Sequence, residues 1–280
     1  MKNKIGDKVN NHEYPWIFHT NPFFLRILHK LTDFITLRNW YVNKYLKKIV
    51  AETGKNFTLI DIGCGSGNII VPNALKYKEA SFVGIDKTNG NIEVLNSFRE
   101  KYKLKNIKLF TEDILKTELT GNVDIITIIT VLQLIDDDTS VIQRCYKMLK
   151  AKGQFLIYIP LKEKRFFRWY NKVFNNWLKD QKYENVHDTK NIYTPLNIAE
   201  KLNQAGFVII RSELTYGNFG KIYYELYSFL LHLFKKNIFY TPVVALFIIL
   251  LFPLFLILMS LDLAVRNKEG NGLIIRATKQ

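Results

Sequence analysis

Short apolar runs alternate with longer polar stretches over residues 58–160. This alternation predicts β-strands joined by helices, which is the pattern of a parallel sheet in an α/β fold. Two further runs downstream extend the pattern beyond this region. The predicted strands are Thr58–Ile62, Ser81–Ile85, Ile107–Phe110, Val123–Thr130, Gly153–Ile159, Phe207–Leu214 and Gly272–Thr278.

A helix is predicted immediately before the sixth of these strands. Thr194 is a suitable N-cap, and Pro195 suits the first helical position because its missing N–H would be unpaired there anyway. Gly206 suits the C-terminal stop, where a left-handed residue is common. The helix should therefore run from about Thr194 to Ala205.

One apolar segment interrupts this pattern, because Asn237–Leu261 contains no charged residue. An uncharged apolar run longer than about 18 residues is a candidate membrane segment. It could span a bilayer, or it could enter and leave on one side as two halves separated by Pro253, or it could form a buried dimer interface. Lysine and arginine flank both ends, which favours the second alternative over the first.

Aromatic residues are mixed with Lys and Arg in residues 1–57 and the insert 161–193, and the segment Ile222–Phe234 is aromatic and apolar with few charges. Such mixtures suit the depth of lipid headgroups. They equally suit helices that pack an apolar face on the sheet. We therefore divide the chain into an N-terminal cap (1–57), a core (58–236) with a substrate-lid insert (161–193), an apolar insertion (237–265) and a final core strand (266–280).

The composition is basic, with 40 Lys and Arg against 25 Asp and Glu among 280 residues, a net charge of +15. An excess of this sign suits nucleic acid, an anionic membrane or plain solubility. The two cysteines do not form a disulfide framework, which favours a reducing compartment. The segment Met1–Trp16 lacks the apolar core of a signal peptide, and no Cys/His cluster has zinc spacing, so we expect no metal.

The strongest local signal follows the first predicted strand, in Leu59-Ile-Asp-Ile-Gly-Cys-Gly-Ser-Gly67. Glycines at alternate positions let the backbone turn tightly and approach a ligand. The helix that follows can hold an anionic group at its N-terminus. A dinucleotide fingerprint needs Gly-x-Gly-x-x-Gly, but the third glycine is one place early and position 68 is Asn, which disfavours NAD.

This loop resembles the cofactor loop of the class I S-adenosylmethionine-dependent methyltransferases, a strand that ends in Asp-x-Gly-x-Gly-x-Gly. The resemblance covers residues 50–160 and, by order, the last two strands. It implies a sheet of order 3-2-1-4-5-7-6 with an antiparallel seventh strand, and S-adenosylmethionine as cofactor. The other matching segments are Phe82–Asp86, Phe110–Ile114, Val123–Thr130, Val131–Asp136 and Met148–Gly153.

The resemblance also implies roles for individual residues. Asp86 would accept both ribose hydroxyls, Asp113 would meet the adenine amino group, and Ile114 would lie along the adenine ring. Asp61 would bind the cofactor amino group or fix the loop, and the glycines would admit the methionine part. Cys64 is interpreted as a small packing residue. The candidate cofactor contacts are Asp61, Gly63, Cys64, Gly65, Gly67, Asp86, Lys87, Asp113, Ile114 and Thr130.

Methyl transfer depends mostly on proximity and orientation, and a base is needed only when the acceptor is not already ionised. His187 is the first candidate base and His19 the second, because an unperturbed histidine titrates near pH 6.5. A histidine at either position more commonly lies on the surface or packs against neighbouring side chains without a catalytic role.

The sequence thus predicts a membrane-associated methyltransferase of a lipophilic small molecule at the cytoplasmic face of a bacterial inner membrane. The acceptor would be a phenolic polyketide or polyene, a quinone precursor or a lipid, with O-methylation preferred over C-methylation. An RNA methyltransferase and a non-catalytic membrane scaffold are the alternatives. The segment Thr130–Gln133 lacks the Asn/Asp-Pro-Pro-aromatic element common in enzymes that methylate nucleobases, so we expect no nucleic-acid partner.

Overall fold

The computed structural model describes residues 22–119, 121–167, 189–236 and 241–280. Both candidate bases, His19 and His187, lie outside the described residues, as does most of the insert 161–193. The division of the chain into segments stays a prediction. The helices are α1 (Pro22–Ile35), α2 (Leu37–Thr53), α3 (Ile70–Lys76), α4 (Asn89–Lys101), α5 (Asp138–Met148), α6 (Pro195–Gln204), α7 (Asn218–Lys236) and α8 (Thr241–Ala264).

Seven strands form one sheet of order β3-β2-β1-β4-β5-β7-β6. β7 is antiparallel to both β5 and β6, while the remaining neighbours are parallel. The predicted fold class and strand order are therefore confirmed. The strands are β1 (Thr58–Ile62), β2 (Ser81–Asp86), β3 (Ile107–Thr111), β4 (Val123–Ile129), β5 (Leu149–Pro160), β6 (Phe207–Thr215) and β7 (Gly272–Lys279).

The start of β5 differs from the prediction, because the strand begins at Leu149 instead of Gly153. Leu149 pairs with Val123, and a register shift separates this pair from the next one, Ile125 with Gln154. The intervening residues 150–152 are exposed, two of them are lysines, and Lys152 has a φ of 64°. A bulged edge of this kind lacks the apolar run by which a buried strand is recognised.

Helices cover both faces of the sheet and enclose a core on each side. One core contains buried residues of α2, α3, α4, α7 and α8. The other contains those of α5 and α6. The predicted caps of α6 are present, since the Thr194 hydroxyl accepts from the Asn197 amide at 3.2 Å and Gly206 has a φ of 95°.

The apolar segment forms one continuous helix, α8, which passes through Pro253. The prediction of two halves that separate at this proline was wrong, since residues on both sides of it, such as Val244 and Phe255, pack on the same core. The hairpin is formed with α7 instead. The Phe255 ring contacts those of Tyr223 and Tyr227, and the Gly220 amide donates to Asp262 at 2.9 Å, so α7 and α8 run antiparallel. After α8 the chain returns to the sheet as β7, between β5 and the edge strand β6.

Candidate active site

A cavity of about 580 Å³ lies at the carboxyl ends of β1, β2 and β4. Ligands of open α/β sheets bind at this edge, and the volume is in the usual range for small-molecule sites. Three parts of the chain form its wall. They are the glycine loop with the ends of β2 and β3, the segment 129–135 after β4, and the junction of α1 with α2.

The three glycines of the loop have positive φ angles, 69° at Gly63, 50° at Gly65 and 80° at Gly67. A Cβ at Gly63 would lie 2.3 Å from a Val131 methyl carbon, and one at Gly67 would lie 2.5 Å from a Leu95 methyl carbon. A Cβ at Gly65 would meet nothing within 4 Å. Gly63 and Gly65 line the cavity, whereas Gly67 lies behind it and lets the loop pack on α4.

The Asp86 carboxylate is held at the end of β2 by backbone donors. Its Oδ2 accepts from the Gly65 amide at 2.8 Å, and its Oδ1 accepts from the Thr88 amide at 2.8 Å and from the Asn91 side chain at 3.3 Å. Asp86 lines the cavity. A carboxylate fixed in this way suits a pair of vicinal hydroxyls, such as those of a ribose.

Asp61 is the penultimate residue of β1 and is only 3% exposed. Burial, with a smaller effect of the nearby Asp86 charge, raises the pKa of Asp61 to about 7, and the Thr127 hydroxyl donates to it at 2.6 Å. Cys64 is buried beside these carboxylates, and desolvation raises the pKa of its thiol well above the usual value. A protonated thiol is a poor nucleophile, which agrees with the packing interpretation.

The two adjacent acids after β3 face different surroundings. Glu112 lines the cavity, and its Oε2 is buried with no hydrogen-bond partner among the described residues. Asp113 is outside the cavity wall; its carboxylate pairs with Lys87 at 2.9 Å and accepts from the Leu115 amide at 3.0 Å. Ile114 and Lys87 both line the cavity. A buried orphan oxygen is satisfied by a donor on a bound ligand, so Glu112 fits a cofactor with an amino or hydroxyl group.

The wall formed by α1 and α2 contributes polar residues that sequence analysis missed. The Arg38 guanidinium donates to the Thr130 hydroxyl at 3.2 Å, beside the glycine loop, while the Arg38 amide donates to the Tyr216 hydroxyl at 3.1 Å. The Asp33 carboxylate accepts from the Asn39 side chain at 3.1 Å, and burial raises the pKa of Asp33 above its usual value. The part of the cavity wall formed by α1 and α2 therefore includes one cation, Arg38, and one proton acceptor, Asp33.

His29 connects α1 to the glycine loop. Its Nε2 lies 2.6 Å from the Ser66 carbonyl oxygen, and the side chain is 2% exposed. Burial lowers the pKa of His29 to about 4, so the ring is neutral at physiological pH. Within the described part of the chain, no group of three or more His, Cys, Asp or Glu could hold a metal ion.

A family model described as a methyltransferase domain matches residues 53–211. The chain belongs to this methyltransferase family. Membership confirms the predicted class of S-adenosylmethionine-dependent methyltransferases and their cofactor. The roles assigned to individual residues of the methyltransferase site remain predictions.

Individual relatives agree with this methyltransferase assignment. The ubiquinone biosynthesis O-methyltransferase of Pseudomonas putida (strain W619) is 31% identical over 127 residues, which are 44% of this chain and 50% of that protein. The chain thus spans about half the length of the curated relatives it matches. Coclaurine N-methyltransferase bound to N-methylheliamine and S-adenosylhomocysteine has a TM-score of 0.57 at 14% identity, covering 86% of this chain and 72% of that one.

A second solved structure of the same fold covers nearly the whole methyltransferase chain. Magnesium protoporphyrin IX methyltransferase from Synechocystis PCC 6803 with bound S-adenosylhomocysteine has a TM-score of 0.54 at 14% identity. The superposition covers 94% of this chain and 97% of that one. At such low identity these structures support the fold alone.

Proposed function

We propose that this methyltransferase transfers a methyl group to a hydroxyl oxygen of a lipophilic small molecule at a membrane surface. One observation carries the proposal: the cavity and an exposed apolar surface meet at the end of α1. Asp33 lines the cavity, while the next residue, Phe34, is 49% exposed and its ring centroid lies 5.4 Å from that of Phe252 on α8.

The described residues fit S-adenosylmethionine in complementary ways. Asp86 would accept from the ribose hydroxyls, the buried Glu112 oxygen would accept from a ribose or adenine donor, and Gly65 leaves room for the backbone to approach the ligand. Arg38 would pair with the carboxylate of the methionine part, since a guanidinium binds carboxylates in a fork geometry. When bound, this cofactor supplies a sulfonium methyl group for in-line attack by a nucleophile.

Asp33 is the candidate base for a hydroxyl acceptor. It lies on the cavity wall formed by α1, and its raised pKa brings a carboxylate closer to the operating pH at which general bases work best. The Asn39 amide that donates to Asp33 would hold the carboxylate in place while it removes the proton. His19 and His187 remain alternative candidates.

A lipophilic acceptor is supported by the apolar part of the cavity wall, which includes Val42, Ile129, Val131, Leu134 and Ile135. Curated relatives named ubiquinone biosynthesis O-methyltransferase support a hydroxyl on a quinone precursor or a similar phenol. Such molecules concentrate in bilayers, and the basic, partly apolar exterior suits the cytoplasmic face of a bacterial inner membrane. We favour O-methylation over C-methylation on the same basis.

The test is transfer of a labelled methyl group from S-adenosylmethionine to a total lipid extract, followed by mass spectrometry of the labelled product. We expect one organic-soluble phenolic product, and its loss in Asp86→Ala. Glu269→Gln serves as a control, because Glu269 is exposed and distant in the chain from the cavity wall. Label that enters RNA would instead support a nucleic-acid methyltransferase. Cofactor binding without any transfer would support a scaffold.

A further inference from the structure

Exposed apolar side chains of α1 and α8 form a surface that we call the outer apolar face. Ile249 is 69% exposed and Leu250 64%, values unusual for large aliphatic side chains in a folded domain. The Phe34 and Phe252 rings are in contact, so the exposed residues of α1 adjoin those of α8 at the end of α1. The members are Phe23, Phe24, Ile27, Leu31, Phe34, Val243, Leu246, Phe247, Ile249, Leu250, Leu254, Ile257 and Leu261.

The opposite side of α8 packs on the domain along the whole helix. Val244, Phe255, Leu258 and Met259 are buried in the core that α2 and α7 share, and Ile248 and Leu251 are partly buried there. These positions follow one another at intervals of one to four residues, mostly three or four, which places them on one stripe of the helix. Among the described residues, this packing leaves the outward stripe of α8 exposed.

This packing determines how α8 can meet a bilayer. By length and composition the segment Pro242–Ala264 could cross a membrane, since its 24-residue helix is about 36 Å long. Crossing would also take the antiparallel α7 into the hydrocarbon. α7 contains Lys221 and Glu225, and the Glu225 carboxylate accepts from the Phe166 and Phe167 amides, which ties α7 to the domain. α8 is therefore placed to lie along a bilayer surface.

The charges next to the outer apolar face in the chain are mostly basic, with the exposed Glu269 as an acidic exception. Arg26 and Lys30 are exposed on α1 between its apolar positions, and Arg266 and Lys268 are exposed just after α8. Asp262, the single acidic residue of α8, is fully buried. Lysine and arginine at this position match anionic headgroups, whereas an interface between two copies would bring like charges together.

We propose that the outer apolar face inserts into one leaflet of an anionic bilayer, with α8 parallel to the membrane plane. Insertion of this face implies that the acceptor enters the cavity from the lipid at the end of α1. This consequence alone rests on the proposed function. Interfacial helices of this kind bury their apolar side by roughly 5–10 Å. The protein then remains on one side of the membrane.

The orientation can be measured with a fluorophore placed along α8. Cys64 and Cys145 are both buried, so an introduced surface cysteine can be labelled selectively. Leu246→Cys, Leu254→Cys and Leu261→Cys should report the same shallow depth when quenched by lipids with spin labels at different acyl positions. A spanning helix would instead give depths that differ by about 22 Å between the outer two sites. Val208→Cys on β6 should show no quenching.

Binding itself can be tested by flotation with phosphatidylglycerol and phosphatidylcholine vesicles. We expect the protein to float with the anionic vesicles and the double variant Ile249→Asp, Leu250→Asp to bind at least tenfold more weakly. Leu196→Asp is the matched control, because Leu196 is 70% exposed on α6. This variant should bind the anionic vesicles as tightly as the unaltered protein. Undiminished binding by the double variant, or a dimer that the same variant dissociates, would overturn the docking inference.

Failure of this inference can be told from failure of the proposed function. A protein that does not float but methylates a phenol in detergent micelles would support the proposed function and refute the docking surface. A protein that floats and binds S-adenosylmethionine by calorimetry, yet methylates no lipid component, would support the docking surface and refute the proposed function.

Discussion

The hydroxyl group of Tyr41 on α2 donates to Asp262 near the end of α8, 2.7 Å from its carbonyl oxygen and 2.9 Å from its Oδ2. The same carboxylate accepts from the Tyr216 amide at 3.1 Å and from the Gly220 amide at 2.9 Å. A single buried carboxylate therefore joins α2, the end of β6, α7 and α8.

Removing this connection should destabilise the domain. Tyr41→Phe loses hydrogen bonds to a buried acceptor and should reduce the free energy of unfolding by about 1.5 kcal/mol. Asp262→Ala leaves the Tyr216 and Gly220 amides without their acceptor and should cost about 3 kcal/mol or more. Urea unfolding followed by circular dichroism measures both, with Tyr224→Phe as the exposed control. Equal, small effects in all three variants would mean that Asp262 does not anchor α8.

The glycine loop offers a matched set of substitutions. Alanine at Gly63, Gly65 or Gly67 should cost about 1–2 kcal/mol through the positive φ. Gly63→Ala and Gly67→Ala should each add about 1–3 kcal/mol, because their Cβ atoms collide with Val131 and Leu95. Gly65→Ala should instead mainly weaken cofactor binding, since its Cβ faces the cavity. Unfolding curves and calorimetry separate the two effects, and similar stability losses at all three sites would contradict this account.

Arg38→Gln should raise the Kd for S-adenosylmethionine at least tenfold, because a charge-assisted pair contributes about 1.5–3 kcal/mol. The affinity for 5′-methylthioadenosine, which lacks the carboxylate, should be unchanged. This contrast identifies a direct pairing. Equal losses for both ligands would show that Arg38 only supports the wall through Thr130 and Tyr216.

Asp33→Asn should lower kcat by about 10²–10⁴-fold if Asp33 removes the acceptor proton. Activity of the unaltered protein should rise with pH through the raised pKa of Asp33, and the variant should lose this acidic limb. Calorimetry should show unchanged cofactor affinity. A variant that keeps the wild-type pH profile would show that Asp33 is not the base, and His19 and His187 would then be the remaining candidates.

His29 should make stability depend on pH. Its pKa is about 4 in the folded protein against 6.5 in the unfolded chain, so its favourable contribution is complete above pH 6.5 and is lost as the pH falls toward 4. The loss should reach roughly 3 kcal/mol relative to His29→Gln. Unfolding at a series of pH values measures the difference, and a constant difference between pH 7 and pH 4 would refute the buried neutral state.

The strands and the glycine loop were predictable because their signals are local. A buried strand is an apolar run, and a tight turn with positive φ needs glycine. Asp33 and Arg38 gave no such signal, since polar residues on a helix usually face water, and only the packing of α1 and α2 over the sheet turns them toward the cavity. Glu112 and Asp113 illustrate a finer limit. Both acids follow the same strand, and the sequence alone does not show which of the two side chains lines the cavity.

The order of elements along the chain has a consequence for synthesis. β7 bonds to both β5 and β6, yet it follows α8 in the sequence. The sheet therefore cannot be completed until α8, the most apolar of the described helices, has left the ribosome. Until then β5 and β6 each have an unpaired edge, so the fold is still incomplete when α8 is already outside the ribosome.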